Sequence, residues 1–245
     1  MKTQRFGITA ASGVLLSASM LTAAPAFAQG PWALNANIGA VSNYIWRGLS
    51  QTGDEAAVQG GLDVSHESGF YAGTWASNVD FGGADAANYE LDLYAGYDFI
   101  LPNDDFSLGL NTIYYAYPDD GGDIDFWEIG LSGGYKWVSL GIQYTAWGDD
   151  DNDGTILDEG DLYYNIGVDV PLADGFSIGA FAGYYDFDND IETDVNADYS
   201  HWGASVSKEA GEFGTFSFTY EQNDGGDDNV WDDDAKVWVG WNKEF

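Results

Sequence analysis

Cysteine is absent from the 245-residue chain. No disulfide, thiolate nucleophile or cysteine-based metal site can therefore enter the argument. Cations are scarce: seven Lys and Arg stand against 41 Asp and Glu, a formal charge of −34. Two of the seven, Lys2 and Arg5, lie in the first few residues, leaving Arg47, Lys136, Lys208, Lys236 and Lys243 against every carboxylate. So acidic a chain repels nucleic acid and anionic surfaces and attracts cations. After the N-terminal segment there is no run of eighteen apolar residues, which excludes a spanning helix but not spanning strands. No phosphate-binding loop or dinucleotide fingerprint is present. Aromatic residues, by contrast, are plentiful. Ten Trp, sixteen Tyr and fourteen Phe are far too many for a disordered acidic tail.

Residues 1–28 read as a cleaved Sec signal peptide: Lys2 and Arg5, then a weakly apolar stretch, then Ala26-Phe27-Ala28 as the cleavage site. The mature chain would begin at Gln29 and form one domain, 29–245.

Alternation dominates that domain. From Tyr89 to Phe99 the odd positions are Tyr, Leu, Leu, Ala, Tyr and Phe, and the even ones Glu, Asp, Tyr, Gly and Asp. Successive strand side chains point to opposite faces, so one face is apolar and the other polar. The same reading predicts twelve strands, over 32–45, 55–66, 69–79, 88–101, 105–117, 126–136, 138–148, 161–171, 176–187, 199–208, 214–222 and 234–245. Most exceed the five or six residues usual in globular sheets and match the roughly nine to eleven that cross a bilayer.

The connections alternate too. Every second one is tight, while most of the others are longer and acidic. Short periplasmic turns alternating with longer outer loops describe an outer-membrane barrel, and a terminal Phe245 on an alternating strand suits delivery to the barrel-insertion machinery. The expected fold is an all-β, up-and-down antiparallel transmembrane barrel in the bacterial outer membrane.

Val41-Ser42-Asn43-Tyr44-Ile45-Trp46-Arg47-Gly48-Leu49-Ser50-Gln51-Thr52 resembles the opening motif of the TorF family of porin-like outer-membrane proteins. Ala57–Asp63, Ser68–Asp80, Glu90–Tyr97 and Tyr114–Pro118 continue the resemblance, which is densest over 37–118. It implies an outer-membrane, porin-like protein and says little about substrate.

With apolar faces toward lipid, the lumen positions include Asp63, Glu90, Asp92, Asp98, Glu128, Asp169 and Glu221, opposed by Lys136 and Lys236. Carboxylates clustered in a narrow water-filled barrel favour cations. This predicts a channel for passive diffusion of small cationic or neutral solutes, without catalysis or organic cofactor. Arg47, at the start of the first outer loop, could narrow the channel and hold a substrate carboxylate, or it could pair with lumen or loop carboxylates and fix the loop. The alternative is a non-conducting structural or adhesive barrel whose lumen is filled.

The run 149–161 is similar to a calcium loop. Asp149, Asp151 and Asp153 fit ligand positions 1, 3 and 5, but position 12 is Gly160, between Glu159 and Asp161. Weakly held Ca or Mg at such loops could bridge them to lipopolysaccharide phosphates. Trp75, Trp127, Trp137, Trp202 and Trp241 fit interfacial girdles, while Tyr115 and Trp238 point to the lumen and could stack on sugars. His66-Glu67-Ser68, with Asn78 and Asp80 downstream, is similar to the His-x-Ser of outer-membrane phospholipases. A nucleophilic Ser needs a base in reach and a third group to orient it, and here the Ser lies in a turn on the periplasmic side.

Overall fold

A computed structural model describes residues 27–83, 86–119, 124–148, 157–188, 197–226 and 230–245. Residues 1–26, most of the expected signal peptide, lie outside it, as do 149–156 and with them Asp149, Asp151 and Asp153.

The chain folds as one antiparallel sheet closed on itself. A short strand β1 (Phe27–Gln29) pairs with β2 (Trp32–Val41). The two-residue strands β3 (Ile45–Trp46) and β4 (Leu49–Ser50) form a small separate hairpin. Then come β5 (Ala57–His66), β6 (Phe70–Asn78), β7 (Tyr89–Asp98), β8 (Phe106–Ala116), β9 (Phe126–Tyr135) and β10 (Val138–Gly148). The circuit continues through β11 (Leu162–Pro171), β12 (Phe176–Asp186), β13 (Tyr199–Glu209), β14 (Thr215–Asn223) and β15 (Lys236–Glu244). Each long strand pairs with the next, and β15 returns to β2, so β2 and β5 to β15 are the twelve staves of a barrel. The stave boundaries agree with the sequence reading to within a few residues, except that the first stave stops at Val41 rather than reaching 45.

Closure answers a physical demand. A spanning sheet must pair every backbone amide internally, and only a ring leaves no edge. The outward registers are apolar, and more than half of the side-chain surface of Val58, Leu62, Leu93, Leu140 and Val237 is uncovered. Burying such a side chain is worth about 1.5–3 kcal/mol. Left in water this belt would forfeit that on every strand, whereas lipid recovers it.

The inward registers mix large and small residues by a cross-strand rule. Gly73 faces Tyr94 and Gly96 faces Tyr71 across the β6–β7 pair, and Gly183 faces His201 and Gly203 faces Phe181 across β12–β13. A Cβ at Gly96 would stand 2.3 Å from the Tyr71 ring, and one at Gly203 2.3 Å from the Phe181 ring. The missing side chain lets the neighbouring ring lie along the wall instead of across the bore.

The connections at one end are short: 67–69, 136–137, 172–175 and 210–214, with 99–105 the longest. At the other end the staves are joined by the segments 42–56, 79–88, 117–125, 149–161, 187–198 and 224–235. By the usual layout the short-turn end is periplasmic and the long-loop end external. Among the described residues no helix is long enough to cross a membrane.

Candidate functional site: the barrel interior

The lumen carboxylates form two tiers because of where they sit along their staves. Glu90 and Asp92 lie near the outer end of β7, Glu128 near that of β9 and Glu221 near that of β14. All four are buried. Asp63, Asp98 and Asp169 lie toward the periplasmic ends of β5, β7 and β11 and are only half-buried. The Tyr94 hydroxyl donates to Asp63 Oδ1 at 2.5 Å.

The outer tier is covered by the first long loop. Beyond Val41 the chain turns into the barrel, and Asn43, Tyr44, Ile45, Trp46 and Arg47 are all buried. The hairpin is internally tied: Gln51 N–H donates to Tyr44 O at 2.7 Å, and Asn43 Nδ2 donates to Asp54 Oδ1 at 2.7 Å. Its tip needs unusual backbone, with Arg47 at φ 49 and Gly48 at φ 88. A Cβ at Gly48 would stand 2.6 Å from His201 Cβ, so only glycine fits that approach to the wall.

Arg47 is the centre of the arrangement. Its guanidinium makes a two-pronged pair with Glu128, Nη1 to Oε1 at 2.8 Å and Nη2 to Oε2 at 2.6 Å. The Tyr115 hydroxyl donates to the same carboxylate at 3.3 Å. The guanidinium carbon stands 4.2 Å from the Trp46 ring centre and 4.1 Å from that of Tyr163. Such desolvated cation–π contacts are worth about 2 kcal/mol. The loop backbone is fastened on the other side, where the Tyr199 hydroxyl donates to Arg47 O at 2.9 Å and Asn223 Nδ2 to Gly48 O at 3.1 Å. Beneath it runs a short polar chain. The Tyr163 hydroxyl meets His201 Nε2 at 2.9 Å, and His201 Nδ1 meets Glu221 Oε1 at 3.1 Å.

Of the two readings of Arg47, the geometry is that of the pairing that holds the loop in place. Lys236 keeps a lumen-face register at the outer end of β15 and reaches loop carboxylates, with Nζ 2.9 Å from Asp54 and 2.7 Å from Asp232. Lys136 does not line the lumen. It occupies the turn between β9 and β10 at φ 54, exposed, with Asp105 3.9 Å away.

Two aromatic assignments also change. Trp75 is no girdle residue: it points inward and meets Tyr44 edge-on at 5.5 Å. The reason is register, since Trp75 shares its face with the buried Tyr71 and Ser77. Tyr115 does face inward but offers no platform to a sugar, because it stacks on Phe126 at 4.2 Å and receives the edge of Trp46 at 5.9 Å. Trp238 is likewise buried.

Trp127 and Trp202 are exposed on outward registers, and Trp137 is exposed in the turn between β9 and β10. His66 Nδ1 lies 2.9 Å from Ser68 Oγ at the periplasmic end. Asn78 ends β6 at the opposite, external end and bonds to the 56–58 backbone, so it cannot orient His66.

In the outer loops Glu159 is exposed, whereas Asp161 is buried and accepts the amides of Asp158 and Asp188 at 3.0 Å each. Burial pushes its carboxyl up to about 6, against the pull of those hydrogen bonds.

A closed ring of twelve staves, apolar outside and charged within, is an outer-membrane β-barrel of porin-like fold. Over residues 25–239 the chain matches the family described as "Bacterial protein of unknown function (Gcw_chp)", and it belongs to that family. That description does not carry the TorF name, so the likeness of 37–118 to TorF proteins stays a resemblance. No curated protein sequence matches the chain.

Among solved structures it is similar to an outer-membrane channel from Pseudomonas putida F1, with a TM-score of 0.56 at 12% identity over 89% of this chain and 97% of that one. The NanC porin gives 0.54 at 14% identity over 86% and 98%. The KdgM porin gives 0.51 at 8% over 86% and 98%. At such identities the likeness is one of fold.

Proposed function

We propose that the protein is a porin-like channel for passive diffusion of small solutes, preferring cations or neutral molecules, and that it catalyses no reaction. One observation carries the reading: the lumen-face carboxylates include a buried tier of Glu90, Asp92, Glu128 and Glu221 and a half-buried tier of Asp63, Asp98 and Asp169, while the one guanidinium among them is committed to Glu128. Fixed negative charge lining a narrow bore raises the local cation concentration and repels anions. The KdgM porin has a structure in complex with disordered oligogalacturonate. An acidic oligosaccharide of that kind would be disfavoured here by the lumen charge.

The test is single-channel conductance of the refolded mature protein in a planar bilayer under a salt gradient. The expected result is steady conductance with a cation-positive reversal potential, reduced in Asp63→Asn and Asp98→Asn. These two sit on the half-open tier, away from the loop contacts. The packing of Tyr44, Trp46, Tyr115, Tyr185 and Tyr199 in the outer tier favours a second reading, a closed structural barrel. Folded protein without conductance would establish that reading in place of the channel.

Under either reading residues 1–28 are removed on export, the barrel-insertion machinery receives the chain, and the acidic loops meet lipopolysaccharide through weakly held Ca or Mg. A mature N-terminus at Gln29 by intact mass, and loss of surface association on chelation, are the expected outcomes.

A further inference from the structure

The lipid-facing registers of the described staves carry almost no charge, and what they carry is sorted by level. The one carboxylate is Asp186, at the external end of β12. The two cations are Lys208 and Lys243, both at the periplasmic ends of their strands. Lys208 follows the outward Trp202, Ala204 and Val206 on β13, and Lys243 follows the outward Val237, Val239 and Trp241 on β15.

The lysines sit in an aromatic setting. Cross-strand register places Phe176, Lys208, Phe216 and Trp241 in one lateral row over β12 to β15. Lys208 Nζ lies 4.7 Å from the Phe176 ring centre and Lys243 Nζ 5.1 Å from that of Phe245. Phe213 is the most exposed aromatic at this rim, and Trp241 donates to its carbonyl at 2.7 Å. Lys208 also reaches the Asp174 carbonyl. The two lysines stand on strands two apart, about 10 Å laterally, with Phe216 between them.

We propose that this rim is a binding surface for the phosphate headgroup of an anionic phospholipid in the periplasmic leaflet. Lysine at this depth keeps its stem against apolar surface and its ammonium at the headgroup level, while the aromatic rings bound the acyl chains. The acidic residues of the same rim explain why the ligand is a membrane lipid and not a free anion. Asp174 and Glu212 lie in the turns, and Glu209 and Glu244 on lumen-face registers. They repel phosphate arriving from the periplasm but leave the lysines as the only charged side chains on the outward registers of this rim.

The inference rests on the membrane-spanning barrel and not on conduction, so it stands or falls separately from the channel reading. The folded full-length mature protein in detergent is offered an equimolar mixture of phosphatidylglycerol and phosphatidylcholine with matched acyl chains, and the retained lipid is counted by native mass spectrometry. Phosphatidylglycerol should be retained in preference, at about fivefold per lysine. Lys208→Gln with Lys243→Gln should bring the two lipids level, while Lys236→Gln, at the external end of β15, should keep the preference. Electrophoretic heat-modifiability verifies that each variant is folded. Equal retention by the wild type, or an unchanged preference in the folded double variant, overturns the proposal.

Discussion

Arg47 shows how much one side chain can decide. A guanidinium carried into a barrel loses its hydration and must recover it from carboxylate and ring faces, which Glu128, Trp46 and Tyr163 supply. Removing one partner of a buried pair costs about 3–5 kcal/mol because the other is left uncompensated, whereas replacing both by apolar groups is often nearly neutral. Arg47→Met should therefore lower the urea midpoint of the folded barrel markedly, and adding Glu128→Leu should restore most of it. The single variant should also raise conductance, since the loop then loses its main fastening. Unchanged conductance in a folded Arg47→Met barrel would mean that the loop does not limit flow. The sequence holds a signal for this burial that alternation alone passes over. Tyr44-Ile45-Trp46 is an apolar run where an outer loop should be polar, followed at once by the mature chain's sole arginine.

At the scale of elements, the period-two pattern is legible because each stave has one lipid face and one lumen face, and hydropathy differs sharply between them. Loop positions carry no such periodicity. Whether 42–56 stands outside or folds in depends on Glu128, Tyr163, Tyr199 and Asn223, which come from four other strands. Trp75 escaped for a related reason: an aromatic on a lumen register looks like a girdle residue until its partner, Tyr44, is known to enter the bore. The pairing of glycine with a large cross-strand neighbour is invisible until register is fixed.

That pairing makes a prediction. Gly96→Ala pushes on the Tyr71 ring and on the Leu110 carbonyl, 2.3 and 2.6 Å from the new Cβ. It should destabilise by about 1–3 kcal/mol and, with Tyr71 displaced inward, lower conductance. A variant of wild-type stability and conductance would show that the wall has slack there. A second prediction concerns the ties between loops. Asp161 is raised to about 6 in the folded protein, so the native state holds its proton over a range where the unfolded chain has released it. Its contribution to stability therefore falls as pH rises from about 4 to about 6. The urea midpoint of wild type relative to Asp161→Asn should drop across that window, and a pH-independent difference would refute it.

For the whole molecule, the charge sorted along the axis follows from the same alternation. Among the described residues the carboxylates other than Asp186 lie in the lumen, the loops and the turns, so almost none of them meets hydrocarbon. The reversal potential reads the inner part of that charge and the lipid preference reads its counterpart on the rim.

The ring itself closes over a short seam, where residues 240–244 of β15 meet 37–41 of β2 from opposite ends of the chain. The loop that leaves β2 just above that seam is gripped by β9, β11, β13 and β14, which span half the circumference. Assembly therefore has an order of events built into its geometry. The tongue of 42–56 must be in place before the hoop is fastened, or else enter afterwards through the external mouth. In the first case a chain with Arg47 replaced would be slow to fasten its hoop; in the second it would fasten as fast as the wild type and be left with a tongue that sits loosely in the throat.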